Sequence, residues 1–76
     1  MPSKVPRVTG EQAVNAFCKA GYEWHHTTGS HRILKHPDKL ARLSIPCHAG
    51  RTLGVGLLHR QIKLSGLTVD EFIALL

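Results

Sequence analysis

With 76 residues the chain has room for one domain and one modest core, which excludes a deep cavity walled on every side. Ten Lys and Arg against five Asp and Glu leave +5 with His neutral; six His add charge on acidification, so a polyanion suits this chain better than a small metabolite. Two cysteines make no disulfide framework, the first nine residues lack the apolar run of a secretory signal, and no stretch approaches the ~20 apolar residues of a membrane span, so a cytoplasmic protein without a membrane anchor is expected.

Residues 1–8, with Pro2, Lys4, Pro6 and Arg7, predict a short, flexible basic lead-in, and residues 9–76 a single domain. Thr9 and Gln12 have capping-box spacing, and Ala13, Val14, Phe17 and Cys18 follow on one helical face, which predicts a helix with Cys18 buried. Gly21 is placed to end that helix. Residues 22–27 alternate as a half-buried strand, with Trp24 expected in the core. Thr28-Gly29-Ser30 reads as a turn, and residues 31–36 as a second strand. Turn chemistry at His36-Pro37-Asp38-Lys39 precedes a third strand over 42–45, limited by Pro46. A loop follows. Helical spacing returns over 55–64 through Leu58 and Ile62, although Gly54 and Gly56 weaken its start. Thr68 and Glu71 form a second capping box, and Leu67 and Phe72 stand where a hydrophobic staple would place them. The sum is an α+β domain of order α-β-β-β-α plus a short C-terminal helix. Both main helices are expected on one sheet face, leaving the other open.

Five of the six histidines lie between positions 25 and 48. They lack the spacing of a zinc site: there is neither Cys-x-x-Cys nor His-Glu-x-x-His, so no metal or other cofactor is expected. Nor do the five carboxylates pair as a two-metal nuclease requires. Glu11, Asp70 and Glu71 suit helix starts, and Asp38 suits a turn. Acid–base chemistry remains open, because an imidazole near neutral pKa can take a proton from a ribose 2′-hydroxyl. His31 directly follows Gly29-Ser30, where a substrate can approach the backbone closely, and Arg32, Lys35 and Arg42 are candidates to hold phosphate. Ser30 could position the scissile group or merely close the turn. Judged on its residues alone, His31 reads rather as an exposed residue at a strand start with no role, since a lone His is weak evidence. His25 and His26 read as strand decoration, and His36 and His48 as turn and loop residues. Neither Cys18 nor Cys47 carries the surroundings of an activated thiol.

The joint pattern resembles the HicA toxins of bacterial toxin–antitoxin pairs. The residues that carry it are Gly21-Tyr22, then Gly29-Ser30-His31, Ile33-Leu34-Lys35-His36-Pro37, Pro46-Cys47-His48, Thr52-Leu53, and Gly66-Leu67-Thr68 with Glu71-Phe72. The resemblance covers residues 9–72. It departs at Cys47, where an aliphatic residue would be usual, and in the loose helix start at Gly54 and Gly56. It implies a dsRBD-like fold and ribonuclease activity on messenger RNA; with no metal pattern in the residues, a metal-independent endoribonuclease is expected. It also implies that His31 is catalytic, which the acid–base reading makes the general base and acid, with Gly29 and Ser30 as its motif neighbours, and it implies a HicB-type antitoxin partner. The rival reading is a non-catalytic double-stranded-RNA-binding module of the same fold.

Overall fold

The computed structural model describes residues 4–76. Residues 1–3, part of the expected lead-in, lie outside the described residues. Residues 4–8 form no helix or strand, yet Val8 is buried and its carbonyl accepts a 2.8 Å hydrogen bond from the Leu53 N–H.

The first helix, α1, spans Gly10–Lys19. Its start follows from its cap: Thr9 Oγ1 accepts from the Gln12 N–H at 3.2 Å, and Gln12 Oε1 accepts from the Thr9 N–H at 2.9 Å. Gly10 opens the helix where it crosses the end of the third strand. A side chain there would meet the Pro46 carbonyl and sit 2.9 Å from Cys47 Cα, so only glycine permits this approach. Three strands follow: β1 (Glu23–Thr28), β2 (His31–His36) and β3 (Lys39–Pro46). They form one antiparallel sheet in the order β1-β2-β3. Helix α2 (Val55–Ser65) and the short helix α3 (Val69–Ala74) complete the α-β-β-β-α layout. The third strand is longer than the sequence suggests, because the turn after His36 closes within two residues and pairing resumes at Lys39.

Ala13 and Phe17 from α1, Leu34, Leu43 and Ile45 from the sheet, and Leu58 and Ile62 from α2 belong to one buried cluster, closed by Phe72 of α3. Both main helices therefore cover the same sheet face. The α2 side chain of Gln61 also guards the outer edge of β3, where its Oε1 accepts from the Ser44 N–H at 3.2 Å. Thr68 and Glu71 form the second capping box, with bonds of 2.9 and 3.1 Å.

Two core expectations are corrected. Trp24 is 54% exposed. It lies on edge strand β1, where a guanidinium covers it instead of a helix: Arg32 stacks 4.6 Å from its ring centroid, and its Nε1–H donates to Thr27 Oγ1 at 3.0 Å. Cys18 is exposed as well. The buried face of α1 centres on Ala13, Ala16 and Phe17, and position 18 falls at its rim. Partial loss of hydration raises the Cys18 thiol pKa, opposed by a backbone hydrogen bond at Trp24.

Candidate active site

The β1–β2 turn is a two-residue hairpin loop, since Thr28 pairs with His31. Gly29 has φ +59°, the first-position conformation that type II′ hairpin turns assign to glycine. The Ser30 carbonyl accepts from the Cys47 N–H at 2.8 Å, which ties the turn to the end of β3. The Ser30 hydroxyl lies 3.3 Å from His48 Nε2, so this side chain turns toward the β3–α2 loop. His31 thus starts β2 from a turn held at both sides. Its ring is exposed, and among the described residues neither ring nitrogen has a hydrogen-bond partner.

Strand alternation then sorts the charges. Leu34 and Leu43 pair with each other on the helix-covered face, as do Arg32 and Ile45. His31, Ile33, Ser44 and Arg42 fall on the open face, where they line a shallow depression of about 380 Å³ with His26 and Thr28. Among the described residues no carboxylate lines it. Lys35 belongs to the same face, and its Nζ lies 3.3 Å from His25 Nε2.

Of the sequence-predicted site residues, the structure brings His31 and Arg42 into one depression and places Lys35 farther along the same face. Arg32 points the other way: it makes a 3.5 Å ion pair with Glu11 of α1 and stacks on Trp24. Lys39 and His36 turn to the core side. The Lys39 Nζ donates to the Ser65 carbonyl at the end of α2, and the His36 ring meets buried Tyr22 edge-on at 5.0 Å. His48 approaches the site only through Ser30. Cys47 forms no couple with His48: its thiol contacts the Ile45 carbonyl at 3.5 Å, and partial burial raises its pKa.

Sequence reading missed His26 as a lining residue. Strict alternation would send His25 and His26 to opposite faces, but the register of β1 shifts between Trp24 and His26. His25 is the extra residue of a β-bulge, and both rings meet on the open face, with Nδ1 atoms 2.6 Å apart. Nothing in the local sequence marks that bulge. The His25 pKa is lowered, first by the Lys35 ammonium, then by desolvation and by the charges of His26 and Arg42. Among the described residues, no group of three His, Cys, Asp or Glu side chains is arranged to hold a metal, and no helix is long and apolar enough to cross a membrane.

Fold and site together define a small basic α+β protein that carries histidines and cations on one open sheet face. Residues 10–67 match the family model of the HicA toxin of bacterial toxin–antitoxin systems. The chain belongs to that family, and an antitoxin partner comes with it. No curated protein matches the chain.

Proposed function

We propose that this HicA-family toxin is an endoribonuclease that cleaves messenger RNA without a metal, with His31 as its general base and acid. The observation that supports this best is the setting of His31: an exposed imidazole whose nitrogens have no partner among the described residues, in a basic depression that Arg42 also lines. A neutral His31 takes the proton of a ribose 2′-hydroxyl. The 2′-oxygen attacks the adjacent phosphorus, the bond to the 5′-oxygen breaks, and the proton held by His31 passes to that oxygen. The products are a 2′,3′-cyclic phosphate and a free 5′-hydroxyl. Arg42 and Lys35 stabilise the charge that gathers on the phosphate oxygens. Arg32, paired with Glu11 on the other face, does not touch substrate.

An open face suits a polymer substrate and equally suits a covering protein. In this reading a HicB-type antitoxin inhibits in the cytoplasm by occupying the face around His31. Charge reversal at Arg42 and Lys35 is expected to weaken the toxin–antitoxin complex, and a complex of unchanged affinity would place the antitoxin elsewhere.

Cleavage of a labelled messenger RNA in the presence of chelator, compared between wild type and His31→Ala, tests the activity. The expected result is cleavage by the wild type and a loss of roughly 10²–10⁴-fold in the variant, the usual share of a positioned acid or base. Equal cleavage by both moves the chemistry off His31. RNA bound by both and cut by neither supports the non-catalytic binding module instead.

A further inference from the structure

The two histidines of the β1 bulge share the open face with His31, and their hydrogen bonding is not symmetric. His25 Nδ1 and His26 Nδ1 stand 2.6 Å apart, so one hydrogen lies between them. The other nitrogen of His25 lies 3.3 Å from Lys35 Nζ. An ammonium only donates, so His25 Nε2 accepts. A neutral imidazole has a single accepting nitrogen, which leaves the His25 hydrogen on Nδ1, donated to His26 Nδ1. His26 therefore accepts at Nδ1 and carries its own hydrogen on Nε2. The cations around His25 favour this neutral form, Lys35 most of all. Among the described residues His26 Nε2 has no partner, while the ring lines the same depression as His31.

We propose that His26 is a second catalytic residue of this site, a neutral imidazole whose Nε2–H donates to an oxygen of the scissile phosphate. Lys35 and His25 are its positioning residues. The catalytic role rests on the endoribonuclease reading above; the tautomer does not. His26 pairs with Ile33 and His31 with Thr28, so the two histidines are diagonal neighbours across β1 and β2. Such neighbours are typically separated by ~7–8 Å, enough for one phosphate to lie between the two rings. The roles are distinct. His31 takes the 2′-proton and returns it to the leaving 5′-oxygen, and His26 keeps its hydrogen throughout while stabilising charge on the phosphorane. The arrangement follows the general logic of a base-and-orienter chain, with the donor rather than the base held by its neighbours.

Two measurements on the intact chain test this. The first compares single-turnover cleavage by wild type, His31→Ala, His26→Ala and His26→Gln with chelator present. A glutamine amide can reproduce the Nε2 donor but cannot cycle a proton near neutral pH. His26→Ala is expected to lose roughly 10²-fold, the low end for a missing oxyanion donor, and His26→Gln to recover most of it. The second is nitrogen-15 NMR of the imidazoles, which reads the tautomer directly. The expected result is a His26 Nε2–H with an accepting Nδ1, and a shift of that Nε2–H when a non-cleavable 2′-deoxy oligonucleotide is added. A His26→Ala variant as fast as a wild type that depends on His31 overturns the inference and spares the endoribonuclease. A wild type that cuts nothing removes both. A His26 hydrogen found on Nδ1 overturns the donor geometry whatever the kinetics show.

Discussion

Lys35 makes His25 harder to protonate than a free imidazole, although the His25 ring is exposed. The sign follows from linkage. A histidine whose folded-state pKa lies below its ordinary value of about 6.5 binds fewer protons folded than unfolded in the window below that value. Stability is thus untouched above about pH 6.5 and falls as the pH drops into that window. Solvent screening keeps the effect small, so the ring itself is the better reporter. An NMR titration of His25 is expected to show a midpoint below 6.5, and Lys35→Met to raise it toward that value. An ordinary midpoint in the wild type would remove Lys35 as the controlling charge. At this scale the sequence is least transparent. Cys18 sits four residues after Val14 and reads as core, yet falls at the rim of the buried stripe. Trp24 alternates as a core residue should, yet it stands on an edge strand whose residues are all exposed. His26 belongs to the site only because a bulge inverts the alternation before it. Rim, edge and bulge are properties of packing, and no local pattern encodes them.

Elements are far more legible, because their signals are local. Both capping boxes, Thr9 with Gln12 and Thr68 with Glu71, form as the spacing predicts. Leu58 and Ile62 mark the buried face of α2, and Gly66 ends it at φ +80°. The hairpin that carries His31 is legible for the same reason: a glycine between two alternating runs marks the turn. That turn is also where a backbone change should reach the chemistry. Gly29 stands at φ +59° with no atom near enough to obstruct a side chain, so the cost of Gly29→Ala is conformational rather than steric. A penalty of about 1–3 kcal/mol is expected. The chain can relieve it by shifting the turn, which would move His31 relative to Arg42 and His26. Chemical denaturation should show the stability loss, and RNA cleavage should fall by more than that loss explains, since the remaining protein is still folded at room temperature. A variant of wild-type stability and activity would show that the turn tolerates another conformation.

On the scale of the whole molecule the sheet separates two populations of cations. A net charge of +5 read from composition treats all Lys and Arg alike. In the fold, Arg32 is paired with Glu11 on the helix-covered side, and Lys39 is drawn to the end of α2, whereas Lys35 and Arg42 remain with the histidines on the open side. The register that makes this division was not legible, because a strand with charges at adjacent positions fits either face equally well. Counterion release turns the division into a measurement. Each phosphate contact to single-stranded nucleic acid contributes about −0.7 to the slope of log affinity against log salt. Binding of a 2′-O-methyl oligonucleotide, which cannot be cut at the 2′-position, can be followed by fluorescence anisotropy across a salt series. Arg42→Ala is expected to weaken binding and flatten the slope by about 0.7. Arg32→Ala removes the same formal charge but should leave the slope nearly unchanged, because that guanidinium is already neutralised by Glu11 and faces away from the depression. Equal flattening by the two variants would mean that RNA wraps over the sheet edge onto Trp24 and Arg32, and the open face would then be only part of the binding surface.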